Sequence, residues 1–279
     1  MPKRANNIVL NALNSLNTPN SPHRSNTLLF IGLMGIVFFI MYLIKSYLIR
    51  FRPHVKSIHV INLDKDKERW AAIQKSLPIS IERWPATYGK DLTPEQCTAH
   101  GIGHAMTRSG VGSYEEQGKN RRNQGVVGCY LSHKLLMTHL SKLDVPDHYG
   151  HLILEDDVTI PDNFLLPEDE WHKVYKNVPM DWDIVYLDIT KPVGVMVAPN
   201  VMKLEYKQGV EGGNWGTHAY IVRHGAIKDK ILPWFRYMID AIDEHYKLKF
   251  GEWNVYAAVP GIFKLNEVMS ANSSIQKKE

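Results

Sequence analysis

The longest apolar segment of the chain lies near its N-terminus. Residues 25–44 carry no charge and are mostly large hydrophobic side chains. A helix of that length spans roughly 30 Å, the thickness of the hydrocarbon core of a membrane. A buried helix would show a polar face, and this segment shows none. A cleaved signal peptide would have a shorter apolar core and small residues at its cleavage site, so we favour an uncleaved anchor.

Beyond this segment, short β-rich apolar runs alternate with helical patterns, which is typical of an α/β sheet covered on both faces. Strands are predicted over residues 54–63, 79–84, 151–154, 183–187 and 219–222. Helices are predicted over 68–77 and 126–140, and a further helix is predicted to start at Pro94 with Thr93 as its N-cap. The polar, Gly-rich residues 107–125 are predicted to form a long loop, of the kind that is usually functional or mobile in compact domains. The chain thus divides into a disordered basic tail over 1–24, a transmembrane helix over 25–48 and a folded domain over 53–279.

Charge and cysteine content narrow the classes of partner. The formal net charge is +4, but residues 1–52 hold six basic side chains and no acid. The folded part is therefore close to neutral, and nucleic acid is not an expected partner. Cys97 and Cys129 fit no metal-ligand spacing, and we interpret them as two buried thiols, with a disulfide between them as the alternative.

An acidic cluster follows one of the predicted buried strands. Glu155, Asp156 and Asp157 come directly after the apolar residues 152–154, and open α/β sheets bind ligands beyond such strand ends. Adjacent carboxylates repel one another, and a divalent ion with a preference for oxygen, Mn²⁺ or Mg²⁺, relieves that repulsion. The alternative is a solvated acidic turn. Asp188 ends another predicted strand, either as a site residue or as a helix cap.

Six sequence blocks occur in a fixed order along the folded part. They are Val60-Ile61-Asn62-Leu63-Asp64 with Arg69, Trp84-Pro85-Ala86-Thr87-Tyr88-Gly89, Gly125 to His133 (GVVGCYLSH), Leu152 to Val158 (LILEDDV), Asp181 to Leu187 (DWDIVYL) and Gly216-Thr217-His218-Ala219-Tyr220. Together, over residues 56–245, these blocks resemble glycosyltransferase family 25, which includes lipopolysaccharide-type glycosyltransferases and collagen galactosyltransferases. Each block alone is a weak signal, but their order makes the resemblance specific.

The resemblance implies a GT-A-like mixed sheet flanked by helices and metal-dependent transfer of a hexose with inversion. The implied donor is a UDP-sugar, UDP-galactose or UDP-glucose, the implied metal is Mn²⁺, and the acceptor is a glycan, lipid-linked or protein hydroxyl. For a eukaryotic host it also implies a type II membrane protein with a lumenal domain in the Golgi or ER. The charges flanking the anchor are nearly balanced and lean slightly towards a cytoplasmic domain instead. The loop 107–125 is longer than the family pattern, which predicts an unusual acceptor.

Roles for individual residues follow from the resemblance and from the chemistry of transfer. Inverting transfer needs a base for the acceptor hydroxyl. Asp243 and Glu244 fit an acidic pair of the family, with Asp240 as a further candidate and a solvated helix face as the alternative. His133 is a candidate donor or catalytic residue, or else a packed histidine. Four residues are assigned to the donor: Asn62, Arg69, Asp156 and Trp215, the last as a sugar platform or a core residue. The metal is assigned to Glu155, Asp156 and Asp157.

Two other functions compete with glycosyl transfer. A catalytically silent membrane protein with the same fold would bind a glycan or a partner, but it would be expected to have lost its metal ligands. A metal-dependent phosphohydrolase would need more histidine and carboxylate ligands around two ions. His133 and His151 are the nearest candidates for those ligands, so this function ranks last.

Overall fold

The computed structural model describes residues 30–42, 54–77, 80–102, 121–161, 170–206, 213–266 and 269. The chain divides into two compact units, Met1–Arg50 and Phe51–Glu279. In the first unit, residues 30–42 are helical and their large apolar side chains are exposed. Across the described ranges, none of the helices has both the length and the apolar character needed to cross a membrane. The predicted tail over 1–24 and the ends of the predicted segment 25–48 lie outside the described residues.

The second unit is built from ten strands and the helices between them, counted over its described residues. The strands are β1 (His54–Asn62), β2 (Glu82–Pro85), β3 (Tyr149–Glu155), β4 (Val158–Thr159), β5 (Ile184–Tyr186), β6 (Gly194–Ala198), β7 (Val201–Leu204), β8 (Ala219–Arg223), β9 (Val255–Ala258) and β10 (Lys264–Leu265). The helices are α1 (Lys67–Ser76), α2 (Pro94–Ala99), α3 (Arg121–Leu140), α4 (Glu170–Asn177) and α5 (Ile242–Lys247). A 3₁₀ turn covers Gly89–Asp91, and a helical stretch follows β8 as His224–Ala226, Ile227–Ile231 and Leu232–Trp234.

Eight of these strands form one mixed sheet in the order β2-β1-β3-β8-β5-β9-β7-β6. β1 is parallel to both β2 and β3, and β5 is parallel to β9. β8 lies between β3 and β5 and runs antiparallel to both. The carboxyl ends of β1, β2, β3, β5 and β9 therefore lie at the same edge of the sheet. β4 and β10 form a separate two-stranded sheet.

The side chains of each central strand alternate between two hydrophobic cores, as the period of two in a strand requires. On one face, Ile153 and Tyr220 pack with buried side chains of α3 such as Leu131. On the other face, Leu152 and Leu154 pack in the core to which α1 and α4 also contribute. The observed architecture therefore confirms a mixed α/β domain with helices on both faces.

Most of the predicted elements are confirmed within one to a few residues. Thr93 caps α2 through a complete capping box, in which its hydroxyl accepts from the Gln96 backbone and the Gln96 side chain accepts from Thr93 N. α3 begins at Arg121, inside the predicted loop 107–125, of which residues 107–120 lie outside the described part. The hairpin of β6 and β7 and the strand β9 were not predicted. The two cysteines form no disulfide.

Candidate functional site

A cleft opens at the edge of the sheet where the parallel strands end. Its floor is formed by residues just beyond β1, β2 and β3, because Asn62 pairs with Pro85 and Ile61 with Glu155 across the sheet. Its side is formed by α3. The lining residues are Ile61, Leu63, Asp66, Arg69, Ala86, Thr87, Tyr88, Gly89, Lys90, Gly125, Cys129, Ser132, His133, Glu155, Asp156 and Asp157.

The Asp156 carboxylate is fixed by two side chains from the region of β1. Asn62 Nδ2 donates to Oδ2 at 2.7 Å, and Arg69 NH1 donates to Oδ1 at 2.8 Å. Burial raises the pKa of Asp156, and these two hydrogen bonds with the Arg69 charge work against the rise. Arg69 also donates to the backbone carbonyl of Met269. Both oxygens of Asp156 thus have protein partners, and Asp156 holds the strand ends together.

The Glu155 carboxylate is held from two sides. Thr217 Oγ1 donates to Glu155 Oε1 at 2.7 Å, and His133 Nε2 lies 3.2 Å from the same oxygen. Because a carboxylate accepts, a His133 proton lies on Nε2, which donates to Glu155, and Nδ1 lies 2.9 Å from the Tyr220 hydroxyl. Burial would raise the pKa of Glu155, but the His133 and Thr217 hydrogen bonds and the charges of His133 and His218 lower it overall.

Asp157 differs from its two neighbours in having no such partner among the residues that the structure describes. Its Oδ1 is buried without a hydrogen bond to any of them, and the residue as a whole is 8% exposed. Burial, followed by the charges of Glu155 and Asp156, raises the pKa of Asp157 to about 7. A buried, unpartnered carboxylate oxygen costs free energy unless a proton or a cation meets it. This oxygen is therefore the one in the cluster that is best placed to receive a metal ion.

Close backbone contact brings α3 against the cleft. A Cβ on Gly89 would collide with the carbonyl of Gln124, and a Cβ on Gly128 would lie 2.6 Å from the carbonyl of Thr87. Ser132 Oγ accepts from Thr87 N at 2.8 Å and donates to Gly128 O at 2.7 Å. Gly89, Gly128 and Ser132 therefore allow α3 to pack closely against the 3₁₀ turn, so that the later residues of α3 face the acidic cluster.

A family model described as glycosyltransferase family 25 (LPS biosynthesis protein) matches residues 55–244, more than half of the chain. The chain belongs to glycosyltransferase family 25. It is therefore a glycosyltransferase, and the matched range contains the whole cleft lining and the acidic cluster. No curated protein matches the chain.

Three consecutive residues of this glycosyltransferase connect the acidic cluster to the carboxylates predicted as bases. Trp215 Nε1 donates to Glu244 Oε1 at 3.0 Å, and the Gly216 backbone donates to Asp243 Oδ2 at 3.2 Å. The next residue, Thr217, donates to Glu155. Burial raises the pKa of Asp243, and the hydrogen bonds from the Gly216 and Glu244 backbones oppose that rise. Asp240 is buried and accepts from the Ala241 backbone at 2.7 Å, away from this connection.

Trp215 is half-buried, so it is not a residue of the core. Lys191 and Lys247 place their ammonium groups 5.1 Å and 5.8 Å from the centre of its ring. Asn214, which has a positive φ of 54°, pins the turn before Trp215 by bonding both backbone groups of Val193. The ring is thus held beside Glu244, with two ammonium groups close to it.

A second ion pair supports the same sheet edge. His218 Nε2 lies 2.8 Å from Asp188 Oδ2, and a Cβ on Gly261 would collide with the other Asp188 oxygen. Burial lowers the pKa of His218, but the Asp188 hydrogen bond and the charges of Glu155, Asp188 and Asp157 raise it overall. Asp188 is followed by no helix, so it does not act as a helix cap.

The glycosyltransferase cleft brings together five predicted site residues and leaves others outside its lining. Arg69, His133, Glu155, Asp156 and Asp157 line it, and Asn62 bonds Asp156 from below. Hydrogen bonds from residues 215–217 link Asp243 and Glu244 to Glu155 of the acidic cluster. Asp240 does not line the cleft. Sequence reasoning missed Cys129, Thr217 and His218, although all three lie inside blocks on which the resemblance rested.

Proposed function

We propose that this glycosyltransferase transfers galactose or glucose from a UDP-sugar to a hydroxyl of a glycan, a lipid-linked sugar or a protein, with inversion, and that its domain has a GT-A-like fold. The observation that carries the proposal is the buried, unpartnered Oδ1 of Asp157 at the floor of the cleft. A divalent cation would stabilise this carboxylate and also bind a diphosphate leaving group.

The residues present fit a divalent ion that prefers oxygen, Mn²⁺ or Mg²⁺. Asp157 would supply the principal ligand and Glu155 the second. We assign Asp156 to positioning, because both of its oxygens are already bonded to Asn62 and Arg69. Bound there, the ion would neutralise charge that develops on the departing UDP.

The donor would lie along the β1, β2 and α3 walls of the cleft. Tyr88 offers an aromatic face for the uracil base, and Lys65 and Lys90 lie 5.1 Å and 5.8 Å from its ring centre. Lys90 also lines the cleft and is available to the diphosphate. Arg69 contributes positive charge while it holds Asp156.

The acceptor would enter from the side of Trp215. Its half-buried ring suits the apolar edge of a sugar, and Glu244 beside it can accept from a sugar hydroxyl. We assign the base to Asp243, since burial raises its pKa towards the working range of a base and the Gly216 contact orients it.

We also propose that residues 25–48 anchor the enzyme in a membrane, and in a eukaryotic host as a type II protein with a lumenal domain. The support is the uncharged apolar run 25–44 and the exposed apolar side chains of the helix over 30–42.

The test is direct binding of donors to the full chain in detergent. UDP-galactose and UDP-glucose are titrated by calorimetry with and without Mn²⁺, for the wild type, Asp157→Asn and a matched control, Asp144→Asn. Asp144 is exposed in the loop before β3, so its substitution changes charge without touching the cleft. We expect Mn²⁺-dependent binding of one donor, with the same affinity in the control variant. In Asp157→Asn the affinity should fall at least about 10–100-fold, which is the loss that follows removal of an outer-shell partner of a metal ligand.

Two results would contradict the proposal. The first is a folded wild type that binds neither donor with Mn²⁺ present. The second is rapid hydrolysis of the donor without any acceptor, which would identify a hydrolase rather than a transferase.

A further inference from the structure

Cys129, His133 and Glu155 form a cluster of mixed ligand type on the wall of the cleft. Cys129 and His133 are four residues apart on α3, so both side chains lie on the same face of the helix. Glu155 approaches them from the end of β3. One ligand atom of each residue, the Cys129 Sγ, a His133 ring nitrogen and a Glu155 oxygen, lies within 4.8 Å of the other two.

This spacing is close to that of a tetrahedral metal site. Metal–ligand distances of about 2.0–2.3 Å place neighbouring ligand atoms roughly 3.5 Å apart in a tetrahedron. His133 Nε2 and Glu155 Oε1 are already 3.2 Å apart. The Cys129 sulfur lies within 4.8 Å of both other ligand atoms, and all three residues line the open cleft, which gives an ion a path of entry.

The outer contacts of the cluster also match those of metal ligands. A ligating histidine typically bonds a fixed partner through its second ring nitrogen, which orients the ring. Here His133 Nδ1 meets the buried Tyr220 hydroxyl at 2.9 Å, while Nε2 faces the cluster. Glu155 is fixed in the same manner by Thr217 at 2.7 Å. On binding an ion, His133 would lose its Nε2 proton and carry one on Nδ1, which would then donate to Tyr220.

We propose that Cys129, His133 and Glu155 form a binding site for a thiophilic divalent cation, Zn²⁺, with an open fourth position. One thiolate, one imidazole and one carboxylate suit Zn²⁺, which accepts sulfur, nitrogen and oxygen ligands with tetrahedral geometry. Mn²⁺ and Mg²⁺ prefer oxygen and gain little from the sulfur. Binding releases the Cys129 thiol proton to solvent, because only the thiolate ligates.

The zinc site shares Glu155 with the oxygen site proposed around Asp157. Two dications that share the Glu155 carboxylate would repel each other, and Zn²⁺ would draw Glu155 towards Cys129 and His133, so Zn²⁺ would compete with Mn²⁺ at the cleft. Zinc is therefore an inhibitor of the enzyme rather than its activating ion. The binding itself does not rest on the proposed function; only this inhibition does.

The test uses Co²⁺ as a spectroscopic substitute for Zn²⁺ on the full chain in detergent, reduced beforehand. A cobalt–thiolate bond gives an intense near-ultraviolet charge-transfer band. The chain has only two cysteines, so the band can be assigned with two variants. Cys129→Ser removes the ligand, and Cys97→Ser is the matched control, because Cys97 is fully buried in the core and does not line the cleft.

We expect wild type and Cys97→Ser to show the band, Zn²⁺ to abolish it, and Cys129→Ser to lose it. Zn²⁺ should bind Cys129→Ser at least about 10–100-fold more weakly than wild type. Cobalt binding without the band, a band that survives in Cys129→Ser, or no cobalt binding at all would overturn the site. Circular dichroism of each variant shows that the fold is retained.

A second readout separates this proposal from the proposed function. Mn²⁺-dependent donor binding is measured in the same preparations with and without Zn²⁺, and each variant is compared with itself. Loss of donor binding on adding Zn²⁺ in wild type, but not in Cys129→Ser, supports the competition. Failure to bind any donor would count against the transferase assignment and leave the cobalt result intact.

Discussion

At the scale of single residues, the structure separates Asp243 from Glu244, which the sequence presents as an undifferentiated acidic pair. Among the described residues, Asp243 accepts from backbone groups alone, those of Gly216 and Glu244. Glu244 is neutralised by Lys247, which lies 2.5 Å away, and it also accepts from the Trp215 indole. A carboxylate that is already paired with a cation is a weak base, so the proton of the acceptor hydroxyl should go to Asp243.

The corresponding experiment compares Asp243→Asn with Glu244→Gln. Both changes remove a charge and keep the shape of the side chain. Removal of a general base lowers a rate by about 10²–10⁴-fold, so we expect kcat of Asp243→Asn to fall by that order while donor affinity stays near that of the wild type. Glu244→Gln should mainly raise KM for the acceptor, because it loosens Trp215. Steady-state kinetics with varied acceptor measures both, and a larger kcat loss in Glu244→Gln would reverse the assignment.

The residue pattern predicts where the acidic cluster lies, but not the separate role of each of its carboxylates. Glu155 to Asp157 could be located because three acids after an apolar strand are unusual. Their different roles could not, because these depend on Asn62 and Arg69, which are 94 and 87 residues from Asp156 in sequence. His218 and Asp188, 30 residues apart, were not paired for the same reason.

At the scale of secondary-structure elements, β1, β3 and the helical stretch after β8 are joined by a buried chain of histidines. Ser57 Oγ lies 2.7 Å from His59 Nε2 and 2.7 Å from His151 Nδ1, and His151 Nε2 lies 3.0 Å from His224 Nδ1. The three imidazoles are nearly or fully buried. Each contact needs one donor and one acceptor, which neutral imidazoles and the Ser57 hydroxyl supply, and burial away from water disfavours a charge on any of the three rings.

This chain predicts that the domain loses stability in mild acid. Burial lowers the pKa of His151 to about 3, and the charges of His224 and His59 add to the shift; burial likewise lowers the pKa values of His59 and His224. An unfolded histidine titrates near pH 6.5, so below that pH the unfolded chain binds more protons, and stability falls as the pH drops from about 6.5 towards 3. For His151 alone the loss between pH 6.5 and 5 is about 2 kcal/mol.

Denaturant unfolding at pH 7 and pH 5 measures this effect. His151→Gln should be less stable at pH 7 yet lose less free energy on acidification than the wild type. His139→Gln is the control, since His139 is exposed on α3 and its charge is the smallest of the causes that act on the pKa of His59; it should change the difference between the two pH values much less than His151→Gln does. Equal acid sensitivity in all three proteins would show that the buried chain is not its source.

Elements with a strong local pattern were predictable, and those that depend on distant pairing were not. β3 and β8 read as apolar runs, and α2 carries its own cap and proline. The hairpin of β6 and β7 has an outer strand whose central side chains are exposed, so its sequence lacks the buried pattern of a core strand. The predicted start of α3, Val126, was too late because the polar residues before it and Gly125 look like loop residues. Gly128, inside the predicted helix, is small because the backbone of Thr87 and Gly89 lies against it.

At the scale of the whole molecule, the chain combines a unit ending at Arg50 with a unit of residues 51–279 that contains both hydrophobic cores and the cleft. The described cores draw on residues from Ile58 onwards, so none of their side chains comes from the first unit. The second unit should therefore fold and bind donor without residues 1–50. The role of the first unit would then be location rather than catalysis.

Expression of the full chain and of residues 51–279 tests whether the first unit attaches the enzyme to a membrane while the second unit folds and binds donor by itself. We expect the full chain in the membrane fraction, resistant to extraction by high salt and released by detergent, because an uncharged apolar run of 20 residues is long enough to span the hydrocarbon core. The shorter protein should be recovered without detergent, with the same unfolding midpoint and the same Mn²⁺-dependent donor affinity.

As a control, the double variant Ile36→Lys with Phe39→Lys places two charges inside the helix over 30–42. Each charge costs about 2.5–3.5 kcal/mol at the centre of a membrane span. If this variant stays in the membrane fraction as firmly as the wild type, the segment is not the anchor. If residues 51–279 remain with the membrane by themselves, the attachment lies in the transferase domain.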